Sequence, residues 1–284
     1  MKFYKSKISL LFFVSVLFFS CKDEVKQTTT RIKPLEGLVK LSDGFAAGAK
    51  VEVWGKKNFF MGYNHLTVVL LDSINPTDTL KDAHVYFKPV MTMVQTMGMP
   101  MTHTCPVENP AKDAVNGVFT GAVAFVMPTS VGGTWKLGIQ LHNHKNNKIA
   151  TVNFDVTVDT PAATVMTSFS DSTANASKLF LSILQPSLPK VGVNDVEFTL
   201  HKKVSMTAWP ADSTYLVEIT PSMPSMGHGS PYNVHPKHVG NGHYKGKVNF
   251  TMTGDWKIDV VVKKVGANKD TTVVSKDIYF NITL

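Results

Sequence analysis

The sequence predicts an all-β protein built from two tandem antiparallel β-sandwiches. Three observations lead there. Apolar residues alternate with period two, at Val51 and Val53, at Val123 and Phe125, at Leu137, Ile139 and Leu141, and at Val152, Phe154, Val156 and Val158. Helical runs are absent, and short alternating segments bounded by Gly, Pro, Asn and Asp recur about every ten residues. The chain also repeats itself: GYNHLTVVL at 62–70 matches GVNDVEFTL at 192–200, GVFTGAVAFVM at 117–127 matches GHYKGKVNFTM at 242–252, and GTWKLGIQL at 133–141 matches GDWKIDVVV at 254–262. The offset drifts from 130 to 125 to 121, as loops of unequal length between matched strands require.

Taken in order, residues 1–20 read as a signal peptide. MKFYKSK is basic and ISLLFFVSVLFF apolar, too short for a spanning helix. Ser20-Cys21 closes the apolar run and resembles a bacterial lipoprotein cleavage site, which implies that Cys21 is acylated and ties the chain to a membrane. Lys22-Asp23-Glu24 resembles a surface-export signal of some Gram-negative lipoproteins. The expected location is therefore the cell envelope, lipid-anchored, at the outer membrane on its periplasmic side or at the surface. Residues 21–36, polar and aperiodic, read as a flexible tether. The first sandwich is expected over 37–160, a Ser/Thr/Ala-rich linker over 161–178 and the second sandwich over 179–284. Trp135 and Trp256 occupy matched positions and read as sandwich core.

Loss of residues 1–20 removes Lys2, Lys5 and Lys7 and lowers the formal charge from +8 to about +5. The remaining lysines are scattered, so no nucleic-acid partner is expected. With Cys21 acylated, Cys105 is the one thiol left and no intramolecular disulfide is possible.

Residues 91–105, MTMVQTMGMPMTHTC, place Met91, Met93, Met97, Met99, Met101, His103 and Cys105 all at odd positions. The repeat pairs Met91 with Met223, Met101 with Met226, His103 with His228 and Met127 with Met252. Both halves thus keep Met, Met-x-His and Met. Thioether and imidazole together suit soft or borderline ions, Cu(I) above all. Alternate residues of an extended segment share a face about 6.6 Å apart, a gap that flexible Met side chains can close. Gly98, Pro100 and Pro106 make this a poor central strand, which weakens the reading of the run as packed core. In the second half His228, His235 and His238 add nitrogen, so that half would also accept Cu(II). His142, His144 and His243 read as exposed and uninvolved.

MPSMGH, the Gly-Tyr-Lys-Gly strand and GDWKIDVVV resemble the YtkA-like domain, a FixH-related family of immunoglobulin-like envelope modules. Residues 215–262 carry the resemblance best, and MTHTCP with GGTWKLGIQL looks like a diverged first copy. The resemblance implies an immunoglobulin-like sandwich in each half and an association with copper handling. The function expected is that of a non-enzymatic, membrane-anchored protein that sequesters Cu(I) or transfers it to another copper-handling envelope protein. The alternative is an adhesion or assembly module whose Met cluster is a hydrophobic contact patch. No Ser-His-Asp set, paired carboxylates or phosphate loop points to an enzyme.

Overall fold

The computed structural model describes residues 33–94, 98–171, 173, 176–266 and 268–284. The expected signal peptide, Cys21 and Met97 lie outside the described residues. The first described turn, the 3-10 helix Lys33–Leu35, buries Leu35 against Val69 and Val118. The last residues of the expected tether are therefore docked on the first sandwich.

The first sandwich contains β1 (Val39–Ala46), β2 (Ala49–Gly55), β3 (Gly62–Asp72), β4 (Ala83–Met93), β5 (Met101–His103), β6 (Val107–Glu108), β7 (Phe119–Phe125), β8 (Gly133–Asn143) and β9 (Lys148–Val156). The second contains β10 (Met166–Asp171), β11 (Ser177–Gln185), β12 (Gly192–Lys203), β13 (Tyr215–Met223), β14 (His228–Gly229), β15 (Val234–Gly240), β16 (His243–Phe250), β17 (Asp255–Val265) and β18 (Thr271–Thr283). The sheet orders are β1-β2-β3-β7-β6 and β5-β4-β8-β9 in the first, and β10-β11-β12-β16-β15 and β14-β13-β17-β18 in the second. Each strand of the second sandwich takes the place of the strand nine earlier in the chain. The internal repeat is thus a repeat of topology, and the period-two pattern lines one inner face of each sheet.

That correspondence corrects the expected linker. Within 161–178, β10 pairs with β11 from Met166↔Ser182 to Asp171↔Ser177 and is the counterpart of β1. Its sequence, MTSFSD, hides it: only Met166 and Asp171 are buried, so no apolar alternation marks an edge strand.

Shared ties hold both copies. Asn64 donates through Nδ2 to the carbonyls of Phe60 and Gly62, both at 2.8 Å, and accepts from the Phe60 amide. Asn194 repeats this with Lys190 and Gly192. The glycine of each loop has positive φ, 130° at Gly62 and 101° at Gly192, which a β-carbon would strain. Trp135 and Trp256 are fully buried in separate cores, and each Nε1 donates at 3.0 Å to a methionine carbonyl, of Met127 and Met252 respectively.

The sandwiches also meet. Tyr63, Ala122 and Ala124, on the outer face of β3 and β7, pack against Met166, Phe180 and Trp209 of the second. Beside them the Tyr63 hydroxyl donates to Glu108 at 2.7 Å, and His243 bridges Glu108 at 2.8 Å and Glu197 at 2.6 Å. The hydrogen bond to Glu108, and then that to Glu197, raises the His243 pKa above the usual imidazole value despite burial. Burial pushes the Glu108 carboxyl up, but the His243 and Tyr63 hydrogen bonds outweigh it and hold it below the usual range. His243, expected to be uninvolved, is part of this joint.

Candidate metal centre

The odd-numbered donors come together because the run folds back on itself. β4 and β5 are antiparallel, with Met91 opposite His103 and Met93 opposite Met101. Residues two apart share a face and opposed residues face each other, so the string becomes a two-by-two grid of donors. Its inner corner is closed: Met91 is fully buried in the first core, and a β-carbon on Gly133 would collide with its methyl group. Its outer corner, Met93 and Met101, is half-buried, and His103 is 6% exposed.

His103 is held in one orientation. Its Nδ1 lies 2.8 Å from the Thr104 carbonyl, which only accepts, so Nδ1 carries a proton and in the neutral ring Nε2 is left with the lone pair. That Nε2 faces the Met127 sulfur at 3.3 Å. Met127 follows β7 and is pinned through its carbonyl by Trp135, whose ring meets the imidazole edge-on at 5.4 Å. A loop of the second sandwich supplies the opposite wall: the Met206 carbonyl accepts from the Thr104 amide at 2.8 Å, bringing the Met206 and Trp209 side chains over the grid. The result is an open cavity of about 260 Å³ lined by Met93, Met101, His103, Met127, Met206 and Trp209. Lys178 and Lys203 also line it, the Lys203 ammonium standing 5.3 Å from the centre of the Trp209 ring.

The donor set suits a soft cation. In the neutral ring an imidazole lone pair faces a thioether sulfur. Two such donors on one ion, at bond lengths of about 2.0 and 2.3 Å and a tetrahedral angle, stand roughly 3.5 Å apart. Thioethers carry no charge, and the two ammonium groups repel a divalent ion twice as strongly as a monovalent one.

The second copy repeats the corner without the roof. Met223 lies opposite His228, whose Nδ1 is 2.9 Å from the Gly229 carbonyl and whose ring meets Trp256 edge-on at 5.8 Å. Met223 is buried in the second core, as Met91 is in the first. Met226 and Met252 are 61% and 40% exposed.

Several expected ligands are placed elsewhere. Cys105 is buried in the first core, and burial raises its thiol pKa well above the ordinary value, so the thiolate a metal requires is disfavoured. Met99 is 88% exposed and is not among the residues lining the cavity. A ligand role for Met91 or Met223 would require its side chain to leave a packed core. His235 Nδ1 accepts from the Ile219 amide at 3.1 Å and His238 Nε2 from the Gly242 amide at 3.3 Å. They do not converge with His228, which corrects the expectation that these three histidines act together. Among the described residues the one converging group of three His, Cys, Asp or Glu side chains is His84, His142 and His144, the last two of which read as uninvolved in the sequence. Met206 and Trp209 also escape a sequence reading, because they reach the site from about a hundred residues away and belong to no repeated block.

Residues 171–261 match the YtkA-like family model. The YtkA-like match spans β11 to β16 and most of β17, and so includes Met223, Met226, His228, Met252 and Trp256. No curated protein matches the chain. Among solved structures, domains 5–6 of the S-layer protein SbsC are similar to it at 11% identity and a TM-score of 0.28, over 87% of this chain and 98% of that one.

Proposed function

We propose that the protein is a lipid-anchored, copper-binding component of the cell envelope that holds Cu(I) in the Met/His cavity and sequesters it or passes it to another copper-handling protein. The observation that carries this reading is the His103 Nε2 lone pair facing the Met127 sulfur at 3.3 Å beneath Met93, Met101 and Met206. His103 and Met127 are the primary donors, and Met93, Met101 and Met206, which line the same cavity, are the thioethers available to complete or exchange the set. The Trp209 face shields one side, and the open side gives a partner access. An anchor at Cys21 would restrict the site to the vicinity of a membrane, where lipid chains bury methylenes at about 0.8 kcal/mol each.

Competitive titration of Cu(I) against a chromophoric chelator tests the site. His103→Ala, Met127→Leu and Met206→Leu are each expected to weaken binding by at least about tenfold, roughly 1.4 kcal/mol. Affinity unchanged in all three would eliminate the cavity as the copper site and leave the hydrophobic contact patch as the better reading. Cys21→Ser is expected to move the protein from membranes to the soluble fraction; retention after a high-salt wash would exclude this anchor.

A further inference from the structure

The outer face of the β5-β4-β8-β9 sheet carries a different set of donors at the opposite end of β4 from Met91 and Met93. His84 on β4 lies opposite His142 on β8, so both rings stand on the outer face of the β5-β4-β8-β9 sheet. Asn143, between His142 and His144, is buried, donates to the Ala47 carbonyl at 2.9 Å and accepts from the Lys145 amide at 3.0 Å. This tie carries the end of β8 past the strand with its alternation intact and returns His144 to the face of His142. The three rings meet edge-on, with centres 4.6 Å apart for His84–His144 and His142–His144 and 5.8 Å apart for His84–His142. One ring nitrogen from each lies within 4.8 Å of the other two.

We propose that His84, His142 and His144 form a second metal site, selective for a borderline divalent cation of the Zn(II) or Cu(II) class and separate from the thioether cavity. The groups behind the rings support this. His144 Nδ1 is hydrogen-bonded to the Asp82 carboxylate, which only accepts, so Nε2 is left for a metal. His142 Nε2 donates to the Asn147 side-chain oxygen at 3.0 Å, which leaves Nδ1. A carboxylate or amide oxygen behind a ligating imidazole orients the ring and raises its basicity toward the ion. Three imidazoles without sulfur match zinc or oxidised copper and give no preference for Cu(I).

The duplicated fold supplies the control. The matched pair in the second sandwich is Leu216↔Lys263, with Val265 two residues on, and Lys263 there pairs with Glu218 at 2.7 Å. The same strands thus form without a single histidine at these positions, so the cluster is not a requirement of the framework.

Zinc titration of the full chain by a competing chromophoric chelator, with Cu(II) electron paramagnetic resonance as a second readout, tests the site. The triple replacement His84→Leu, His142→Lys, His144→Val, which installs the second sandwich's own residues, is expected to abolish the high-affinity zinc event and the nitrogen hyperfine pattern while leaving the unfolding midpoint in place. Asp82→Asn is expected to weaken zinc roughly 10- to 100-fold by removing only the group behind His144. His103→Ala is expected to leave zinc binding unchanged, so this site is separable from the Cu(I) cavity. Zinc binding by the triple variant equal to that of the parent, or no zinc binding by the parent protein, overturns the proposal. If the triple variant fails to fold, Asp82→Asn decides: unchanged zinc affinity counts against the site and a loss in the stated range supports it.

Discussion

In the first sandwich the Met/His corner is roofed by Met206 and Trp209 from the second; in the second sandwich the same corner, with Met226 and Met252 exposed, faces solvent. The frames under the two corners agree closely: an asparagine ties the loop before β3 and β12, a tryptophan ties the methionine carbonyl, and a histidine is turned by the carbonyl that follows it. What differs is therefore not required by the fold. The roof, the three-histidine cluster and the joint at His243 are all asymmetric, and each of the two proposed sites depends on one of the first two.

The largest test of this comparison is removal of the shared tryptophan. Trp135→Ala and Trp256→Ala each empty a separate core and are expected to cost about 3–5 kcal/mol. Thermal unfolding should show each variant lowering the transition of its own sandwich; an equal shift of both transitions would mean that the cluster holding Tyr63 and Trp209 joins them into one cooperative unit.

The joint makes stability depend on pH on both sides of neutrality. His201 on β12, buried within electrostatic reach of Glu108 and His243, is held neutral by that burial, with its pKa lowered to about 4. Between about 4 and the unfolded value of about 6.5 the unfolded chain binds the extra proton, so stability falls with decreasing pH by about 3 kcal/mol in all. His243 acts oppositely, since its folded pKa is raised: its contribution is complete below the unfolded value and is lost as pH rises through the folded one. Denaturant unfolding across pH should therefore peak near neutrality. His201→Gln should flatten the acid limb and His243→Gln the alkaline limb, and an unchanged profile in both would exclude the joint as its source.

Copper affinity should separate the two corners next. His103→Ala is expected to weaken the tighter Cu(I) event about a hundredfold, roughly 2.7 kcal/mol, and His228→Ala to leave that event in place. Equal losses from the two substitutions would show that the roof adds nothing. The smallest expected effect falls on what the sandwiches share: Asn64→Ala and Asn194→Ala should each cost about 1–2 kcal/mol, because the loop carbonyls they hold, buried or half-buried, lose their donor. Unequal costs, read from denaturant midpoints, would show that the matched loops are not equivalent.

Composition and alternation determined the all-β class, the duplication and the burial of both tryptophans, because a strand with one buried face writes period two into its residues and a repeat writes it twice. The spacing of Met93, Met101 and His103 was likewise visible as odd positions, although only the β4–β5 register shows that the string folds into a grid. Tertiary structure alone decided which donors meet. Cys105 keeps the odd-position pattern and yet is core, whereas His84 and His142 are 58 residues apart in sequence and directly opposed in the sheet. Met206, Trp209 and the His243 joint depend on how one sandwich lies against the other. Local periodicity records which face of a strand is buried; it carries no record of what that face is buried against.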